Sequence, residues 1–146
     1  LTLRIGSSVL ALYCAVWAGI VIGVSFIATI AKFAAPSLTR PVALEVGAHT
    51  FAMLARIEWG LAAALALLIL AAGIDRLRLV LFILIAAILA TAALWLYPQL
   101  NARAALVVAR QPLPPSPLHA FSVAAESLKV LLLALFAVVE IRKTGR

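Results

Sequence analysis

The residues with chemistry to offer fall in two short stretches of an otherwise apolar chain. In HAFSVAAESLK, His119, Ser122, Glu126 and Lys129 repeat at three- and four-residue intervals. At about 100° per helical residue they fall within roughly 80° of one face. In VALEVGAHTFAMLARIE, Glu45, His49 and Arg56 share a face at spacings of four and seven, while Glu58 falls nearly opposite. Three chemistries suit such a set. Glu45 and His49 at i, i+4 could present two metal ligands, with His119 and Glu126 opposite. His49 and His119 could ligate a haem from facing helices. Glu126, Lys129 and the histidines could pass a proton or cation to an aqueous phase. A Ser122–His119–Glu126 hydrolase is poorly supported, because all three lie on one helix without a nucleophile elbow or an oxyanion-hole signal. Each histidine also has a plain reading as a hydrogen-bonded structural residue.

The elements that carry these residues are membrane-like. The 146-residue chain is 66% hydrophobic and only 12% charged, and its mean hydropathy of +1.21 exceeds what a water-soluble domain sustains. The net charge of +7 belongs mainly to connections between apolar runs, which excludes a nucleic-acid-binding face. A lone cysteine, Cys14, excludes an internal disulfide and a cysteine-based zinc site.

Four spans are expected, since about 20 apolar residues cross a hydrocarbon core of about 30 Å. They run over about 5–31, 42–73, 79–97 and 118–139. The first run is longer than a signal-peptide core and lacks a convincing small-x-small cleavage site, so it reads as a retained span. Pro36 and Pro41 break the chain after it, and GIDRLR makes a short turn. Trp95, Tyr97 and Pro98 close the third span. Residues 98–117 then form an outer interfacial helix and the Pro-rich loop QPLPPSP. The expectation is an all-α, polytopic membrane protein: one antiparallel bundle of four transmembrane helices.

Orientation follows from basic residues. Arg4, Arg76, Arg78, Arg142, Lys143 and Arg146 fall on one side, against Lys32, Arg40, Arg103 and Arg110 on the other. The excess places both termini in the cytoplasm; a bacterial inner membrane is the expected location. Glu45, His49, Arg56, His119, Ser122, Glu126 and Lys129 then share the outer half.

Energy sets where they should point. The large apolar residues of the fourth span contribute about −4 to −7 kcal/mol to insertion, and Glu126 with Lys129 costs about 5 to 7. That span is comfortable only if its polar face meets protein, so a polar cluster between spans two and four is expected. Glu126 and Lys129 can pair within the helix, with Glu45 and Arg56 as partners across it. Ala11, Ala15, Gly19 and Gly23 recur every fourth residue and offer a groove for another helix, of this chain or of another subunit.

Trp17 with Gly19, then Phe26, Pro36, Gly47 with Phe51, and His119 with Ser122 give the chain a further character. In this order they resemble the transmembrane protein 205 family and related bacterial four-helix proteins of unknown function. There a W-x-G span leads through a Pro-containing turn to a helix of small and aromatic residues, and a His followed by Ser opens the last span. Lys32, the segment RIEW and the Glu126/Lys129 pair depart from that pattern. The resemblance spans nearly the whole chain and implies a four-span membrane protein without an established reaction.

The functional expectation is a non-enzymatic accessory or assembly subunit of a larger membrane complex, in contact with lipid and other membrane-protein subunits. The competing expectation is a proton or metal transporter, or a haem-binding membrane protein.

Overall fold

A computed structural model describes residues 6–144; Arg4, Ile5 and Arg146, which enter the charge count and the first span above, lie outside the described residues. The described chain is all-helical. Four helices, Ser7–Ala34, Arg40–Ala72, Arg76–Val108 and Leu118–Thr144, are each long and apolar enough to cross a membrane.

Local chemistry sets most boundaries. Pro41 occupies the opening turn of the second helix, where its missing N–H costs nothing. Gly73 ends that helix at φ +96°, a conformation that a Cβ would strain. Asp75 caps the third helix by accepting the Arg78 backbone N–H at 2.9 Å. At the start of the fourth, the Ser116 hydroxyl accepts from the Leu118 N–H at 3.3 Å.

The third helix departs from the sequence reading. It does not stop at Tyr97 but continues through Pro98 to Val108, so the segment expected as a separate interfacial helix is its continuation. A π-helical turn over Ala92–Leu96 ends one residue before the proline. The wider turn accommodates a ring that would otherwise press on the carbonyl four residues back, and Pro98 could not have donated to that carbonyl. At 1.5 Å per residue, the 33-residue second and third helices are about 50 Å long, well beyond the hydrocarbon thickness of about 30 Å. Their extended ends lie together, the Phe51 and Tyr97 rings 6.2 Å apart.

The apolar core is built from Leu10, Cys14, Trp17 and Val21 of the first helix, Leu65 and Ile69 of the second, Leu81 and Ile85 of the third, and Leu133 and Phe136 of the fourth. The first and fourth helices share the most extensive packing. Small residues do permit this approach, but they are not the expected stripe. Ala11, Ala18 and Ala137 are buried, whereas Ala15 and Gly19 are exposed. Nothing lies within 4 Å of a Cβ built on Gly19 or Gly23. Of the expected stripe, only Ala11 packs inside the chain, because Trp17 turns the neighbouring face inward and carries Ala15 and Gly19 out.

Candidate functional site: a buried ion cluster beside a cavity

Lys129 has no exposed surface, although its side chain ends in an ammonium. The fourth helix presents it among apolar neighbours, so its charge must be met by protein. Two carboxylates do this. Glu126, one turn earlier, lies 2.9 Å from Nζ, and Glu58 of the second helix approaches to 2.7 Å. Two acids against one base leave an excess of acceptors, which neutral donors from the other helices meet. Trp17 Nε1 donates to Glu58 at 3.1 Å. Ser25 Oγ donates to Glu126 Oε2 at 2.9 Å, and the Tyr97 hydroxyl donates to Glu126 Oε1 at 3.1 Å. All four helices therefore contribute to one hydrogen-bonded set.

Local backbone places two of these donors. Ser25 is the buried residue of a second π-helical segment, Ile22–Ala28, where the Thr29 hydroxyl takes up the Val24 carbonyl at 3.3 Å. Tyr97 directly follows the π turn before Pro98. π-helical turns are uncommon and gather at functional positions; here each adjoins a donor to Glu126.

Several sequence expectations need correction. Ser122, Glu126 and Lys129 are buried, but Glu45, His49, Arg56 and His119 are exposed. The second helix faces the fourth with Glu58, the acid expected to point away. Neither Glu45 nor Arg56 forms an ion pair among the described residues. Their face lost because Ala43, Gly47, Leu54, Glu58, Ala62 and Leu65 form the buried side of that helix. A small and apolar run that continues into the core outweighs a polar stripe confined to the helix's first half. Trp17, Ser25 and Tyr97 were missed because each reads from sequence as an ordinary membrane-helix residue. Their signal was that a buried cluster with surplus carboxylates needs neutral donors.

A second polar set closes the opposite end of the core. Arg78 meets Glu140 with both arms of its guanidinium, at 3.0 and 2.7 Å, and donates to the Ala72 and Gly73 carbonyls and to Ser7. Lys143 bridges Glu140 at 2.8 Å and Asp75 at 2.6 Å. Lys129 and Glu140 are separated by eleven positions of one helix, about 16 Å. Buried Leu133, Phe136 and Ala137 fill the interval on that helix.

Beside the Glu126 end of the first cluster lies a cavity of ≈ 360 Å³. Its walls are mainly apolar, with Phe26, Phe33 and Phe51 among them, and its polar groups include Glu126, Ser122, Tyr97, Asn101, His119 and Lys32. His119 reaches the cavity; His49 is not among its lining residues. Among the described residues no three His, Cys, Asp or Glu side chains converge as a metal-binding group. Every buried side-chain nitrogen and oxygen among the described residues has a hydrogen-bond partner. The cluster is thus a saturated network adjoining a space large enough for a small molecule.

No protein-family model, curated protein or solved structure matches the chain.

Proposed function

We propose that the chain is a non-enzymatic integral membrane protein of a bacterial inner membrane, acting as an accessory or assembly subunit of a larger membrane complex. Its four helices form an antiparallel bundle with both termini cytoplasmic, and the Glu58–Lys129–Glu126 cluster holds them in register. The observation that carries this reading is that the cluster draws at least one side chain from every helix and leaves none of its buried polar atoms unpaired. A buried network whose members are all hydrogen-bonded makes each helix's position depend on the others.

Supporting the antiparallel arrangement, Ser7, Arg78 and Glu140 meet through hydrogen bonds at one end. Ser25, Tyr97 and Glu126 meet at the other. The basic side chains of Arg76, Arg142 and Lys143 belong to the first end, which the positive-inside rule assigns to the cytoplasm. The likeness to the transmembrane protein 205 family favours the same architecture. The metal, haem and proton-carrier alternatives draw less support, since the two histidines do not share the cavity and an apolar layer separates the two polar sets.

The accessory role leaves a stripe of small residues, Ala15 and Gly19, outward for a subunit. The test is purification from native membranes in mild detergent, comparing wild type with Gly19→Ile/Gly23→Ile. A defined assembly that dissociates in the double variant, while the released chain keeps wild-type helicity and melting, supports the role. A wild-type chain that runs only as a monomer, or an assembly indifferent to both substitutions, counts against it.

A further inference from the structure

Among the described residues lining the cavity, Lys32 is a cation that no carboxylate answers. It is half-buried, and among the described residues it forms no ion pair and no hydrogen bond with a side chain. Its ammonium lies 5.1 Å from the centre of the Phe33 ring. It also occupies the space a side chain at position 47 would need, Nζ standing 2.5 Å from a Cβ built on buried Gly47. A glycine therefore makes room for this ammonium against the second helix, within the cavity wall. A lysine that merely reached for bulk headgroups would extend away from the helices.

The other charges along the wall do not compete for it. Glu126 already accepts from Ser25, Tyr97 and Lys129. His119, the remaining titratable wall residue besides Tyr97, is an exposed neighbour at the start of the fourth helix. The wall thus combines one unanswered positive charge with Phe26, Ile30, Phe33, Leu44, Phe51 and Leu100. A small inorganic anion would leave those apolar surfaces unfilled, and a neutral hydrocarbon would leave the ammonium without a counter-charge.

We propose that this cavity binds an anionic amphiphile, an acyl chain ending in a carboxylate or phosphate, with Lys32 holding the charged group and the phenylalanines enclosing the chain. Gly47 is a positioning residue for the Lys32 ammonium. The site is independent of whether the chain has a partner subunit. The same chemistry could be supplied by a free fatty acid or by an anionic membrane phospholipid.

Native mass spectrometry of the delipidated full chain in neutral detergent separates these sources, with palmitate, phosphatidylglycerol and uncharged hexadecanol titrated in turn. The expected result is saturable binding of one equivalent of at least one anionic probe, with hexadecanol roughly tenfold weaker or worse. Palmitate alone identifies a free acid as occupant, and phosphatidylglycerol, alone or with palmitate, the membrane's own lipid. Lys32→Gln should weaken the anionic probe about tenfold and leave hexadecanol unchanged, and Lys32→Arg should restore much of the loss. Gly47→Ala, which displaces the ammonium without removing it, is the second variant and should also weaken the anion selectively. The proposal is overturned if hexadecanol binds as tightly as the anions, if neither anion binds, if binding is unsaturable, or if Lys32→Gln and Gly47→Ala both leave the affinities unchanged.

Discussion

Glu58 and Lys129 stand 71 positions apart and meet at 2.7 Å with both side chains excluded from their surroundings. This contact changes what substitution should do. From sequence, Glu126 is the partner of Lys129, so removing Glu126 alone would strand a buried cation and removing both would relieve it. With Glu58 present, Glu126→Ala leaves the ammonium paired, whereas Glu126→Ala/Lys129→Ala leaves Glu58 with only the Trp17 N–H. The double variant should therefore be the less stable. Lys129→Met, which strands two carboxylates, should cost about 3–5 kcal/mol, and adding Glu58→Gln should recover part of it. Reversible unfolding in mixed micelles measures all four; a double variant more stable than Glu126→Ala would show that Glu58 does not hold the cation.

The long apolar runs made the helical class legible, because they leave few other ways to satisfy a backbone in hydrocarbon. The polar face of the fourth helix was legible too: Ser122, Glu126 and Lys129 follow helical spacing and are buried together. The second helix misled because its first half is amphipathic while its register is set by the core further along, where Ala62, Leu65 and Ile69 pack. Glu58 shares that register. The far-end network was hidden for another reason. Arg78, Asp75 and Glu140 lie next to turns and basic residues, where charge reads as topology, and only tertiary contact distinguishes a buried Arg78 from its exposed neighbour Arg76.

Gly19 and Gly23 offer a prediction that separates packing within the chain from packing between chains. Because no atom stands within 4 Å of a Cβ at either position, Gly19→Ala and Gly23→Ala should leave the isolated chain intact and raise its helical stability by up to about 1 kcal/mol each, through the propensity difference. Unfolding of the monomer measures this. A loss of more than about 1 kcal/mol would place a neighbouring helix of the same chain over these glycines.

Cys14 gives a probe of the core that needs no engineered label site. It is the sole cysteine and has no exposed surface, packed with Leu10, Trp17 and Phe136 in the apolar cluster. A maleimide should label the folded chain slowly, and labelling should accelerate at least tenfold in Lys129→Met as that variant populates open forms more often. Mass-spectrometric time courses in matched micelles provide the comparison. Rapid labelling of the wild-type protein would mean that the face carrying Cys14 is open.

Asp75 contributes an acid-sensitive contact at the other end of the molecule. Burial pushes its carboxyl up, but hydrogen bonds from the Lys143 ammonium and the Arg78 backbone N–H, together with both positive charges, outweigh this and hold it below the usual carboxylate range. A depressed folded value means that the contribution is complete above the unfolded-chain value of about 3.9 and is lost as pH falls through the lower folded value. The side chain is 41% exposed, so screening keeps the ionic part small, and the helix cap to Arg78 carries much of the effect. Asp75→Ala should cost about 0.5–2 kcal/mol near neutral pH. Asp75→Asn, which keeps a capping oxygen but no charge, should cost less and should flatten the stability profile between about pH 5 and 2, a region where wild type declines. If the Asn variant loses stability on acidification as steeply as wild type, the decline belongs to other carboxylates, with the Glu140 pairing to Arg78 and Lys143 the first to examine.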